Sequence, residues 1–145
     1  MMQNEWMMPA LLFGFGLAAF FAAFARVCRF DRDRSFFPTV LIAIAGYYVL
    51  FAVMAGQSIW IEVIVATAFA GLAVIGGVHR RVDLGLMIVG GATFLHGCFD
   101  AVHGHVIDNP GVPVWWPAFC GAFDLLFGGW IVTLALRQQR ALAPA

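Results

Sequence analysis

Five apolar stretches separated by short polar or turn-rich segments make up most of the chain. They fall at about residues 8–25, 36–55, 59–78, 84–106 and 115–136, each near the roughly 20 residues that an α-helix needs to cross a hydrocarbon core. The first separator carries Arg26, Arg29, Arg32 and Arg34 interleaved with Asp31 and Asp33, and the second is a tight Gly56-Gln57-Ser58 turn. His79-Arg80-Arg81-Val82-Asp83 forms the third, and Asp108-Asn109-Pro110-Gly111-Val112-Pro113 the fourth, a segment dense in residues that break helices. Pro117 falls in the first turn of the fifth stretch, where a missing N–H costs little. The pattern predicts an all-α polytopic membrane protein, one bundle of five transmembrane helices spanning residues 1–145 as a single domain, with no internal repeat or linker.

Composition strengthens this picture. Hydrophobic residues make up 63% of the 145 and charged residues only 11%, with a mean hydropathy of +0.91, whereas a soluble domain carries about 25% charged residues. All eight basic residues are arginines (26, 29, 32, 34, 80, 81, 137 and 140). With five spans every one of them falls on the same side, and the positive-inside bias makes that side cytoplasmic, with the N-terminus outside and the C-terminus inside. Trp6, Trp60, Trp115 and Trp116 then gather at the outer interface, and Trp130 lies towards the inner end of its helix. No Lys or Arg precedes the first apolar run, so it is read as a retained helix rather than a signal peptide. No basic patch suits nucleic acid. Cys28, Cys98 and Cys120 form no C-x-x-C pair and are odd in number. They are read as small buried apolar residues, not as disulfide partners or a thiolate zinc site.

The fourth stretch carries the chemistry. Leu95-His96-Gly97-Cys98-Phe99-Asp100-Ala101-Val102-His103-Gly104-His105 places an acid and imidazoles within an otherwise apolar helix. At 100° per residue His96, Asp100 and His103 lie within about 60° of one another, while Cys98 and His105 point nearly the other way. By helical rise, His96 lies roughly 15 Å and Asp100 roughly 9 Å below the outer end of their helix. Asp124 lies roughly 14 Å below the same surface on the fifth helix, and Glu62 about one turn below it on the third. The match in depth pairs Asp124 with His96 across two antiparallel neighbours. Gly90, Gly97 and Gly104 recur every seven residues and give the fourth helix a smooth flank for close approach. Tyr47 and Tyr48, midway along the second helix, and Cys120 are expected to line the same cavity, which opens outward between the third, fourth and fifth helices.

Three readings compete. Asp-His pairs can act as polar glue between helices, at under about 1 kcal/mol per contact. They can form an enzyme site open to the outer side, or a proton- or ion-coupled pathway, since intramembrane ionisable groups are functional candidates by default. The absence of a deep acid on the cytoplasmic half counts against transport. Within the enzyme reading, the candidate catalytic residues are His96, Asp100, His103 and Asp124. Those same four with Glu62 are the candidate metal ligands, and zinc is the expected ion. His96 and His103 are roughly 10.5 Å apart along the axis, so one ion would take Asp100 with either histidine, not both. Without metal, a carboxylate orients a histidine that serves as general base. A haem lacks the second deep histidine on another helix.

The fourth and fifth helices also carry a resemblance. With L-H-G-C-F-D-A-V-H, N-P-G-V-P-V-W-W-P and F-C-G-A-F-D, they resemble the C-terminal half of a small family of uncharacterised bacterial integral membrane proteins. That family has a histidine, an aromatic-aspartate pair, a second histidine, and a later cysteine followed by phenylalanine-aspartate. The match covers His96, Asp100, His103, Cys120, Phe123 and Asp124, about the last third of the chain, with Phe99 where the family has tryptophan. It implies a multi-pass protein of the bacterial inner membrane and brings no activity. The site is also similar in kind to the intramembrane zinc hydrolases of the alkaline ceramidase and progestin-adipoQ receptor group, whose seven helices and different spacing make this an analogy. The expected function is a membrane-embedded hydrolase or isomerase acting on a lipid or other hydrophobic molecule. The alternative is an accessory subunit, with a membrane-protein partner or a second copy of the chain beside it.

Overall fold

A computed structural model describes residues 3–142. Five helices follow in order: α1 (Gln3–Val27), α2 (Phe36–Met54), α3 (Trp60–Val78), α4 (Val82–Val106) and α5 (Trp116–Leu142), with a short 3-10 turn at Phe30–Arg32. All five are long and apolar enough to cross a membrane, and no strand occurs among the described residues. The apolar stretches locate the helices, but α1 begins five residues before the hydrophobic run and α5 continues six beyond it. Hydropathy marks where lipid contact ends, whereas the backbone hydrogen-bond ladder runs on into polar sequence.

α4 and α5 are the central pair. α1 packs on α5, α3 on α4, and α2 on α3 with a smaller contact to α4. Glycine is the reason the central helices come so close. A Cβ on Gly128 would stand 2.5 Å from the Phe94 backbone nitrogen, and one on Gly97 3.0 Å from the Gly121 carbonyl oxygen. Gly90 faces Ile131 and Val132 in the same way. Gly104, the third glycine of the seven-residue repeat, meets nothing within 4 Å, so the smooth flank is shorter than its spacing suggested; α5 has scarcely begun at that level. Large apolar side chains such as Leu12, Phe13, Ile64 and Leu95 are exposed around the bundle, a surface suited to lipid rather than water.

The connections are built to different plans. Between α2 and α3, Gly56 takes φ 65° while its N–H bonds to Val53 and the Gln57 N–H to Ala52, which is a Schellman stop. At the arginine-bearing end, the Arg34 guanidinium donates to the His79 carbonyl and ties two connections together. Arg81 forks onto Asp83 at 3.3 and 2.7 Å. The Ser35 N–H and hydroxyl both donate to Asp33 Oδ1, holding that exposed carboxyl below its ordinary pKa. Two of the three cysteines depart from the expected burial: Cys28 and Cys98 are exposed, and only Cys120 is buried. Cys98 sits on the lipid-facing side of α4, where its thiol is apolar enough to be tolerated.

Candidate functional site

Two pairs spaced four residues apart face each other across the α4–α5 contact, His96 with Asp100 on α4 and Cys120 with Asp124 on α5. Residues four apart share a helical face, and Gly97 and Gly121 between them let the backbones approach until side chains as short as aspartate can meet. A Cβ on Gly97 would lie 3.0 Å from Asp124 Cβ, and one on Gly121 3.5 Å from Asp100 Cβ. Within this setting His96 Nδ1 is 2.8 Å from Asp124 Oδ2 and 3.7 Å from Asp100 Oδ2. Cys120 Sγ lies 3.9 Å from Asp124 Oδ2. All four side chains are buried.

α2 closes the site from the side. The Tyr48 hydroxyl donates to Asp100 Oδ1 at 2.7 Å, and its ring stacks on His103 with centroids 3.8 Å apart. Beyond it lies a second polar group. His103 Nε2 is 2.9 Å from Glu62 Oε1, and Asn109 Nδ2 donates to that same oxygen at 2.7 Å and to the Tyr48 carbonyl at 3.0 Å. The α4–α5 connection therefore folds back onto the site instead of merely reversing the chain. Gly111 permits this, because a Cβ there would collide with the Phe51 carbonyl of α2.

Measured against expectation, the His96–Asp124 pairing is present, and His96, Asp100 and His103 share the buried face of α4 while Cys98 and His105 are exposed. Three corrections follow. His103 and Glu62 form their own pair and do not join the group around Asp100 that is compact enough for one ion, whose fourth member is Cys120. Successive inward positions of one helix climb along its axis, so a shared face does not mean a shared site. Tyr47 does not line the groove beside Asp100; it packs on Phe51 and Trp116 and shares a second, apolar pocket with Cys120. The open cavity beside Asp100 lies between α1, α4 and α5 rather than between α3, α4 and α5. Asn109 went unforeseen because an Asp-Asn-Pro-Gly run reads as a turn. Its only advance signal was an amide beside a helix end in a protein with little other polar material.

That cavity is a groove of about 450 Å³, within the roughly 300–1,000 Å³ range of ligand sites. Met7, Leu11 and Phe15 of α1 form one wall, α5 the other, and Asp100 is the one ionisable residue lining it among the described residues. Among the described residues, three buried carboxylate oxygens lack a hydrogen-bond partner: Asp100 Oδ2, Asp124 Oδ1 and Glu62 Oε2. The cations within reach of these carboxylates are imidazoles, His96 beside Asp124 and Asp100 and His103 beside Glu62. The chain contains no lysine, and its arginines lie at the end of α1, on the connections at the opposite end of the bundle and at the end of α5. Comparison of the chain with protein families, with curated proteins and with solved structures finds no match.

Proposed function

We propose that the protein is an enzyme of the bacterial inner membrane, a hydrolase or isomerase acting on a lipid or another hydrophobic molecule that reaches Asp100 through the α1–α4–α5 groove. The supporting observation is the groove itself, mostly apolar, with the buried Asp100 carboxylate behind its wall. Such a surface accepts an acyl chain or a ring system and offers polar chemistry at one point. α1 and α4 do not pack closely, leaving an entry from the bilayer. Tyr48 bonds Asp100 directly, and the His96–Asp124 pair lies beside it, so groups able to hold or pass a proton adjoin the carboxylate.

The unpartnered oxygens weigh against a purely structural role. A polar network that serves only to join helices gains most when every lone pair is satisfied, yet Asp100, Asp124 and Glu62 each keep one oxygen free. Transport fares worse. Between Asp83 at the arginine-bearing end and His96, roughly 20 Å along α4, Thr93 is the one buried polar side chain of that helix, and its hydroxyl is taken by the Val89 carbonyl.

The test is a comparison of total lipid extracts from cells carrying the wild-type protein, Asp100→Asn, or neither. The wild type should deplete one lipid class and accumulate its product, and Asp100→Asn, purified as a folded protein, should leave the profile like that of cells without it. Identical profiles in all three strains, with no hydrophobic molecule retained by the purified protein, would remove the enzyme reading in favour of a subunit role.

A further inference from the structure

We infer that His96, Asp100, Cys120 and Asp124 form a mononuclear binding site for a divalent transition-metal ion, zinc by the chemistry of the donors. One ligand atom from each, an imidazole nitrogen of His96, Cys120 Sγ and a carboxylate oxygen of each aspartate, lies within 4.8 Å of all the others. Tetrahedral zinc, bonded at about 2.0–2.3 Å, needs its donors roughly 3.3–3.8 Å apart, so side-chain adjustments of a few tenths of an ångström up to an ångström close the shell. Two helices supply two ligands each, at i and i+4. The glycine-lined contact has already brought their backbones together, so the ion needs no rearrangement of the fold.

Two further observations point to a ligand rather than to an acidic cluster alone. Asp100 Oδ2 and Asp124 Oδ1 are buried with no partner, in side chains that are fully buried, and Asp100 Oδ2 faces the imidazole at 3.7 Å. Metal-bound carboxylates are ordinarily held by an outer partner on their other oxygen. Tyr48 stands in that position, donating to Asp100 Oδ1. Charge argues the same way: two carboxylates and the Cys120 thiolate, with a single imidazole and no arginine or lysine beside them, carry about three negative charges when ionised, and a divalent cation offsets two of the three. A site that includes an imidazole and a thiol disfavours magnesium and calcium, which take oxygen donors. Glu62 and His103 are outside the shell, engaged with each other and with Asn109.

The inference uses the same cluster as the reading above and none of its claims about a substrate, so metal content and lipid turnover can fail separately. The probe is metal alone, added to the full-length protein purified in mild detergent. Elemental analysis should find close to one zinc per chain. Replacement by cobalt should give the intense visible bands of a four-coordinate site together with a near-ultraviolet thiolate-to-cobalt absorption. That absorption should vanish in Cys120→Ser and persist in Cys98→Ser and Cys28→Ser, whose thiols are exposed. Loss of an outer-shell partner typically costs 10–100-fold in affinity, so Asp124→Asn should bind the ion more than about 100-fold more weakly. If a variant fails to fold, the cobalt spectrum of the wild-type protein still decides the matter. Wild-type protein that is folded, free of metal and spectroscopically silent with added cobalt would overturn the site, as would a thiolate band that survives Cys120→Ser.

Discussion

Tyr48 does two jobs with one side chain, placing its ring on His103 and its hydroxyl on Asp100, and they can be separated. Tyr48→Phe keeps the stack and removes the donor, leaving Asp100 without a partner on either oxygen. A buried acceptor left unsatisfied costs about 1–3 kcal/mol, so the variant should remain folded and unfold earlier by that amount when titrated with denaturing detergent. A variant as stable as the wild type would mean that Asp100 Oδ1 finds another donor. At this scale the sequence was partly legible. The stripe of His96, Asp100 and His103 and the depth of Asp124 follow from helical geometry alone, because rise and rotation are constants of the α-helix. Which members of the stripe meet depends on the neighbouring helices. Tyr48 and Tyr47 are adjacent in sequence, yet one bonds Asp100 and the other lines an apolar pocket with Ile44, Trp116, Phe119 and Cys120.

The site depends at the scale of elements on how closely α4 and α5 approach, and glycine controls that distance. Gly128→Ala would push a methyl group against the Phe94 nitrogen and the Gly90 carbonyl, backbone atoms that cannot rotate away. The expected cost is about 1–3 kcal/mol of stability, typical of overpacking. Gly104→Ala, which meets open space, should be neutral or slightly stabilising, since alanine favours the helix over glycine by up to about 1 kcal/mol. Thermal unfolding of the two variants in the same detergent checks the contrast. Equal stabilities would mean that the helix pair is looser than its contacts imply. The seven-residue glycine spacing on α4 announced a close approach, but only the position of α5 shows that it ends before Gly104. The α4–α5 connection teaches the same lesson. Its turn residues were evident, whereas its packing over Glu62 through Asn109 was not, since a turn motif specifies local dihedral angles and not what the turn will cover.

For the molecule as a whole, the arginines gather on the connections at one end of the bundle and the tail of α5, and the positive-inside bias predicts that this end is cytoplasmic. A C-terminal alkaline phosphatase fusion should therefore be inactive, and a C-terminal fluorescent protein bright. The reverse pattern would invert the bundle and turn the groove towards the cytoplasm. Five helices, their approximate limits and a membrane environment were determined by the sequence itself. Each of those properties depends on contiguous residues, through apolar length and the 1.5 Å rise per residue, and no long-range contact can offset so apolar a stretch of that length. The tertiary structure alone decided the division of the polar residues into a compact group of His96, Asp100, Cys120 and Asp124 and a separate Glu62–His103–Asn109 group. It also decided that the groove to Asp100 is walled by α1. These are relations between helices, and in lipid, where apolar faces are nearly equivalent, packing shape and buried hydrogen bonds choose which helix stands beside which.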